Sequence, residues 1–467
     1  MVVQHNLTAM NANRMLGITS KSLSKSAEKL SSGYKVNRAA DDAAGLSISE
    51  KMRKQIRGLS QASLNAEDGI SAVQTAEGAL TEVHDMLQRL NELSVKAANG
   101  TNSLSDRQSI QDEVDQLLTE IDRVAETTKF NEIYLLKGDK DTVKRYANAK
   151  DAGINGSLRE GATIATFTMN TLKLGDTVSI GGKSYTIGST QADVVSSFGD
   201  LMANFKGGEL VTVDGVQYTV ADGAIAPNED KNILTAGEIQ NKIKAKSSFI
   251  YNGVTYSAIT DADGDGHDDA NASIITKTQA EDLIKQELTI ANNIGTNSAN
   301  PSVVAAGIDK TDASGKKITE YVITKGQTDV KESLNFSLHV GADADMTNKI
   351  FVSIDALDTK GLGINGLNVK DSTGAAATYA IDAIADAVAH VSAQRSTLGA
   401  IQNRLDHTIK NLDNVVENTT AAESQIRDTD MATEMVKYSN NNILVQAGQS
   451  MLAQANQKNQ GVLSLLG

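Results

Sequence analysis

Residues 52–90 read MRKQIRGLSQASLNAEDGISAVQTAEGALTEVHDMLQRL. Apolar positions recur in this stretch every three or four residues, namely at Met52, Ile56, Leu59, Ala62, Ala66, Ile70, Val73, Ala76, Leu80, Val83, Leu87 and Leu90. The spacing predicts an α-helix with one apolar stripe, close to the heptad seam of a coiled coil. We expect this helix to run from Leu46 to about Asn99 and to span roughly 80 Å at 1.5 Å per residue.

A second helix follows a break at Asn99-Gly100, because glycine readily takes the left-handed conformation at a helix end. We expect it to begin at about Ser105, a suitable N-cap residue. Its apolar stripe consists of Ile110, Val114, Leu117, Ile121 and Val124. The simplest packing of the two helices is an antiparallel hairpin.

The two chain ends carry further helices that lack a partner close by in sequence. A short helix between Leu7 and Leu30 ends at Gly33, and two helices are predicted near the other end, at about 379–426 and 430–460. A short helix cannot bury its apolar stripe alone. We therefore predict that the two ends of the chain pair with each other.

The middle of the chain changes from helical periodicity to alternation. Three favoured two-residue hairpin turns occur there, Gly181-Gly182, Asp214-Gly215 and Asn252-Gly253. A helix-like segment follows each turn, at 192–205, 235–245 and 278–288. This pattern predicts a degenerate hairpin-plus-helix repeat within an inserted α+β domain.

The predicted fold class is therefore mainly α, with long antiparallel coiled-coil helices from both chain ends and a hairpin-rich α+β middle domain. We divide the chain into an N-terminal helix with its following break (1–45), an N-terminal helical half (46–138), an insert (139–332), a hairpin with the C-terminal helical half (333–426) and a last helix (427–467).

Composition argues against several classes of protein. The net charge of −14 gives no basic face for nucleic acid. The absence of cysteine excludes disulfides, thiolate nucleophiles and cysteine-based zinc sites. The first residues carry no cleaved secretory signal, and no stretch reaches the apolar length of a membrane span. The spacings His-Glu-x-x-His and Gly-x-Ser-x-Gly and the phosphate-binding loop Gly-x-x-x-x-Gly-Lys-Ser/Thr are also missing, so we expect neither an enzyme nor a cofactor.

Ungapped motifs at both ends resemble one known family. At the N-terminal end they are Leu30-Ser-Ser-Gly-Tyr-Lys-Val-Asn37, Asp41-Asp-Ala-Ala-Gly-Leu46 and Gly58-Leu-Ser-Gln-Ala-Ser-Leu-Asn-Ala-Glu-Asp-Gly-Ile70. At the C-terminal end they are Arg395-Ser-Thr-Leu-Gly-Ala-Ile-Gln-Asn-Arg-Leu405, Ala421-Ala-Glu-Ser-Gln-Ile-Arg-Asp-Thr-Asp-Met431 and Val462-Leu-Ser-Leu-Leu-Gly467. These motifs are similar to those of bacterial flagellins, and the segment 339–354 resembles the hairpin that precedes the family's C-terminal helix.

The resemblance implies a D0/D1-like arrangement, in which the terminal helices line a filament lumen and the longer helices form the next layer. It implies a structural subunit that polymerises with itself into the extracellular flagellar filament for motility. Implied partners are an export chaperone, the type III export apparatus, the filament cap and the hook-junction proteins, with no membrane or nucleic acid. A hook–filament junction protein and an adhesin displayed by the insert stay open as alternatives.

The resemblance also implies candidate contact residues. Arg89, Leu93 and Glu113 fall where flagellins recognised by the innate receptor TLR5 carry their key contacts. Their alternative role is as solvated helix charges and a subunit-packing leucine. Leu463, Leu465 and Leu466 match the C-terminus that cytosolic sensors bind in some flagellins, although packing in the inner tube is the favoured role.

One acidic loop begins like a calcium-binding loop. Asp261, Asp263 and Asp265 with Gly266 match positions 1, 3, 5 and 6 of an EF-hand. Position 12 is Ala272 in place of the bidentate glutamate, and no flanking helix pair is evident. We therefore favour an acidic solvated turn and assign no metal, with calcium as the alternative.

Overall fold

A computed structural model describes residues 6–202, 206–221, 227–228, 232–243, 248–312 and 315–466 of the chain; for Met202 and residues 459–466 it describes the backbone alone. The chain divides into two compact units. Unit 1 comprises residues 1–71, 337–352 and 400–467, and unit 2 comprises residues 72–336 and 353–399.

The helices in the described ranges alternate with groups of short strands. They are α1 (Leu7–Ser32), α2 (Ala43–Ala98), α3 (Leu104–Thr127), α4 (Gln191–Met202), α5 (Ala236–Lys242), α6 (Lys277–Asn293), α7 (Ala375–Arg427) and α8 (Met431–Leu466). The strands before α6 are β1 (Lys129–Phe130), β2 (Ile133–Tyr134), β3 (Thr142–Tyr146), β4 (Ser157–Glu160), β5 (Ile164–Asn170), β6 (Thr177–Ile180), β7 (Lys183–Gly188), β8 (Leu210–Val213), β9 (Val216–Ala221), β10 (Ile233–Thr235), β11 (Ser248–Tyr251), β12 (Val254–Ser257), β13 (His267–Asp268) and β14 (Asn271–Thr276). After α6 come β15 (Val303–Val304), β16 (Ile308–Thr311), β17 (Lys317–Thr324), β18 (Gln327–Lys331), β19 (Leu334–His339) and β20 (Lys349–Ile354).

In unit 1 the two chain ends pair, which confirms the prediction for the terminal helices. The side-chain amide of Asn6 donates to the carbonyl of Ala455, and a Cβ placed on Gly448 would lie 3.2 Å from Leu16 Cδ1, so α1 and α8 run antiparallel. At the other end of the pair, Gly33 has a φ of 78° and its carbonyl accepts from the Thr429 amide. Gly33 thus ends α1 as expected and holds it beside the start of α8.

The same unit contains residues 43–71 of α2 and residues 400–427 of α7. Arg53 of α2 forms an ion pair with Glu423 of α7 at 3.2 Å. The hairpin of β19 and β20 contributes to a small core that buries Ala66, Val340, Ile350 and Leu405. These contacts confirm the antiparallel packing of helices from opposite chain ends.

In unit 2 the predicted stripe of α2 is buried. Residues with less than 1 % exposure include Val73, Ala76, Leu80, Val83, Leu87 and Leu90, together with Val114 and Ile121 of α3 and Ile384, Val391 and Leu398 of α7.

The bounds of α2 and α3 differ slightly from the prediction. α2 begins at Ala43 and not at Leu46, because Asp42 Oδ1 accepts from the Gly45 amide. α3 begins at Leu104, because Ser103 and not Ser105 is its N-cap and forms a capping box with Asp106.

The three predicted hairpins are present as β6–β7, β8–β9 and β11–β12. Both turn residues have positive φ in each of them, including Asp214 at 47° and Asn252 at 52°, as expected of a type I′ turn. Two of the hairpins each gain a parallel neighbour in their sheet. β7 pairs in parallel with β14, the strand before α6, while β9 pairs in parallel with β10, the strand before α5.

The helices of the repeat share a start signal that the sequence interpretation did not use. A threonine caps the first turn and an acidic or amide residue follows three positions later, in Thr190/Asp193, Thr235/Glu238 and Thr276/Gln279. The predicted segments 192–205 and 235–245 extend into residues 203–205 and 244–245, which lie outside the described ranges.

The two ends of the middle segment meet at one strand pair. β3 pairs antiparallel with β18, and the Asp139 amide donates to the Glu332 carbonyl at 2.7 Å. The segment therefore leaves and rejoins the helical part at adjacent points. The five-part division of the chain stays a prediction.

Candidate assembly and receptor surfaces

The pair of α1 and α8 exposes many large apolar side chains. Those with half or more of their surface exposed are Leu7, Met10, Met15 and Ile18 on α1, and Met431, Met435, Val436, Ile443, Leu444 and Met451 on α8. In α1 only Ser26 is buried among the described residues. A monomeric protein rarely exposes this many large apolar side chains, and their exposure indicates a contact with another molecule. We call these ten side chains the terminal apolar face.

A buried polar contact joins α1 and α8. Glu434 of α8 is buried, and Ser26 of α1, which is also buried, donates a hydrogen bond to it. Burial raises the pKa of Glu434, but the hydrogen bonds from Ser26 and Lys437 outweigh burial and lower it overall. The carboxylate therefore stays ionised at neutral pH, with Lys437 of the same helix as its ion partner at 3.4 Å.

The predicted receptor residues Arg89 and Glu113 contact each other across α2 and α3. The Arg89 Nη2 atom lies 2.8 Å from Glu113 Oε1, and its Nη1 atom lies 3.0 Å from Glu92 Oε2. The hydrogen bond to Glu113, followed by the one to Glu92, raises the pKa of Arg89. All three side chains are about half exposed or more, so the pair is a surface ion pair of small energetic value to the fold.

Leu93 lies in a different environment. Its side chain is only 2 % exposed, so the structure does not place it on the surface with Arg89 and Glu113. Leu93 therefore belongs to the helical core of unit 2. Its assignment as a receptor contact stays a prediction.

The loop between α2 and α3 is held by a residue that the sequence interpretation missed. Arg107 is 2 % exposed and donates from Nε to the carbonyl of Ala97, from Nη2 to that of Asn99 and from Nη1 to that of Asp371. The guanidinium therefore satisfies the Ala97 carbonyl at the C-terminus of α2, where a cation is also favoured by the helix dipole, and joins the loop to the segment before α7. Arg107 lies three residues before Ile110, on the line of the apolar stripe of α3, and this position was the sequence signal of its burial.

The acidic loop brings its three predicted residues together. Carboxylate oxygens of Asp261, Asp263 and Asp265 lie within 4.8 Å of one another. Each accepts from backbone amides of the same loop, as when Asp261 accepts from both Gly264 and Gly266. The loop is flanked by strands β12 and β13, whereas an EF-hand loop is flanked by two helices. Calcium binding here stays an untested alternative to the solvated turn.

The side chains of the C-terminal leucines Leu463, Leu465 and Leu466 lie outside the described part of the chain. Among the described residues, none of the helices is both long and apolar enough to cross a lipid bilayer.

Comparisons with known proteins agree on one family. A family model described as "Bacterial flagellin N-terminal helical region" matches residues 3–141, and one described as "Bacterial flagellin C-terminal helical region" matches residues 381–466. A flagellin of Clostridium tyrobutyricum is 37% identical over 98% of this chain and 100% of its own length. A flagellin of Halalkalibacterium halodurans is 34% identical over 100% of both chains, and flagellin B of Vibrio cholerae is 34% identical over 100% of this chain and 99% of its own.

The family models fall on the segments that form α1–α3, most of α7 and α8, and the relatives span essentially the whole chain. The chain therefore belongs to the bacterial flagellins and is a structural subunit of the flagellar filament, not an enzyme.

Proposed function

We propose that this chain polymerises with itself into an extracellular filament that serves motility, and that the terminal apolar face is the surface covered by neighbouring copies. The proposal rests on one observation, the half or greater exposure of ten large apolar side chains on α1 and α8. Full burial of one such side chain contributes about 1.5–3 kcal/mol, so even partial burial of ten of them favours association strongly.

Seeded elongation tests this proposal. Monomers are added to short filament fragments, and length is followed by electron microscopy and light scattering. We expect elongation without a lag. A chain that binds the seed ends but never lengthens them would instead be a hook–filament junction protein, the alternative within the class. Export through the type III apparatus with a chaperone, and capping at the tip, are further proposals that follow from membership of the family.

The middle segment is proposed to be dispensable for polymerisation. Because Asp139 and Glu332 are hydrogen-bonded at the ends of the segment, joining residue 138 to residue 333 through a short glycine turn needs little rearrangement. We predict that this deletion variant still elongates seeds at a rate comparable to that of the full chain. Failure to elongate, with the helical fold intact by circular dichroism, would contradict the proposal. Loss of surface binding with filaments intact would support the adhesin alternative.

We further propose that Arg89 and Glu113 form a contact surface for TLR5. The support is their half-exposed ion pair on the adjoining faces of α2 and α3, together with the resemblance of the surrounding sequence. The pair contributes little to stability, so its removal changes the surface without unfolding the helices.

This prediction compares removal of the Arg89–Glu113 ion pair with a change in another exposed ion pair, Arg123–Glu120. We expect Arg89→Ala with Glu113→Ala to weaken receptor activation by about thirtyfold, the effect of a hot spot of about 2 kcal/mol. Arg123→Ala is the control, because Arg123 forms a similarly exposed ion pair with Glu120 on α3. A reporter cell assay with purified monomer measures both. Equal potency of the double variant and the control would contradict this assignment.

A further inference from the structure

A small cavity in unit 2 is lined by basic side chains. It has a volume of about 70 Å³ and lies among the end of β3, the segment that follows it, the loop after β20 and α7. Arg145, Lys150, Lys360, Asp386 and His390 are among its lining residues. We call it the cationic cavity. A basic site is unexpected in a chain with a net charge of −14.

The basic groups differ in how far they are already neutralised. Lys150 Nζ lies 2.9 Å from Asp386 Oδ2, so these two charges offset each other. Arg145 donates from Nη1 to the uncharged carbonyl of Gly361. Within the described part of the chain, neither Arg145 nor Lys360 forms an ion pair with a carboxylate. Both are exposed at the surface, which leaves them free to face an incoming anion.

Two further carboxylates lie near the cavity without lining it. Asp355 is occupied by hydrogen bonds from Ser333 and from His390, whose Nε2 atom is 3.1 Å away. Burial raises the pKa of Asp358, and the hydrogen bond from the Gly361 amide and the charge of Lys360 oppose this only in part. Neither carboxylate lies within ion-pair distance of Arg145 or Lys360, and at longer range Asp355 attracts Arg145 and Asp358 attracts Lys360, so the two positive charges are offset only in part.

The size of the cavity limits the ligand. One water-sized group needs roughly 10–15 Å³ of such volume, so the cavity accommodates roughly five atoms. Nucleotides and sugars are too large, and the basic lining disfavours metal cations. A five-atom oxyanion has the matching size and charge, and a guanidinium binds such an anion through parallel hydrogen bonds.

We propose that the cationic cavity binds one small tetrahedral oxyanion of the phosphate class through Arg145 and Lys360. The bound anion would link β3, the loop after β20 and α7. Because an anion that binds only the folded chain stabilises it by mass action, phosphate would strengthen the base of the middle segment.

Isothermal titration calorimetry of the full-length monomer with sodium phosphate tests this, with sodium chloride at matched ionic strength as the reference. We expect saturable binding of one phosphate per chain with a Kd below about 1 mM. Arg145→Gln and Lys360→Gln should each weaken it at least about tenfold. Lys183→Gln, which removes the same charge from the β6–β7 hairpin, should leave binding unchanged.

Hydrogen–deuterium exchange of the wild-type chain gives a second readout that does not depend on the folding of a variant. Phosphate should slow amide exchange in residues 145–150 and 360–363 more than in the rest of unit 2. Absence of saturable binding, equal affinity in all three variants, or uniform protection along the chain would each overturn the proposal.

Discussion

Removal of residues 430–467 should abolish filament elongation and leave a soluble monomer. The truncation deletes α8, the partner that contacts α1 through Ala455, Gly448 and the buried Glu434. An isolated helix of the length of α1, 26 residues, has little stability without a packed face. Both terminal helices are therefore lost together, and with them the terminal apolar face.

Two measurements check this expectation. Seeded elongation should be absent, and the helical signal in circular dichroism should fall by more than the 36 residues of α8 account for. The deletion variant that joins residue 138 to residue 333 is the control, because it removes more of the chain but keeps α1 and α8. Normal filaments from the truncated chain would refute the role given to the terminal helices.

Replacement of Arg107 by methionine should cost unit 2 about 3–5 kcal/mol of unfolding free energy. The variant keeps a long side chain but removes the side-chain donor to the carbonyls of Ala97, Asn99 and Asp371, of which Asn99 still accepts from the Asn102 amide. Ala97 is buried, and a buried carbonyl without a partner costs about 1–3 kcal/mol. The loss of the two part-buried hydrogen bonds and of the favourable cation at the end of α2 adds to this cost.

Denaturant unfolding of the monomer, followed by circular dichroism, measures this cost. Arg123→Met is the matched control, because Arg123 is a largely exposed arginine on the same helix and its replacement should change stability by less than about 0.5 kcal/mol. Equal stability of the two variants would show that Arg107 is not the residue that holds the α2–α3 loop.

The helical part of the fold was predictable because long helices repeat one simple pattern. The stripe from Met52 to Leu90 becomes a line of buried or half-buried side chains, and Gly33 ends α1 as its conformational freedom suggests. Pairing of the chain ends followed from the same logic, since neither end could bury its own stripe. The glycine-containing turns likewise predicted all three hairpins, because positive φ at both turn positions favours glycine, asparagine and aspartate.

The strand order was not predictable from local pattern. The parallel pairing of β7 with β14 joins segments far apart in the chain, and no turn signal encodes such a contact. The predicted start of α2 was three residues too late and that of α3 one residue too late. In both cases the capping residue, Asp42 or Ser103, lies upstream of the apolar stripe.

The candidate sites were also predictable only in part. The resemblance to flagellins gave Arg89 and Glu113 as receptor contacts but did not predict that their side chains touch, which the structure shows. The burial of Leu93 was missed, because a leucine at a helical position reads equally well as core or as surface. The cationic cavity depends on contacts between distant segments, so it emerges only when the folded chain is described. Arg107 was missed because an arginine on an apolar stripe was not examined as a buried donor.

The most direct test of the central claim is a cryo-EM map of filaments grown from this chain. We predict that α1 and α8 pack against the same helices of neighbouring copies and that Leu7, Ile18, Ile443 and Met451 are buried there. Filaments in which these side chains still face solvent, with contacts between copies made elsewhere, would contradict the account.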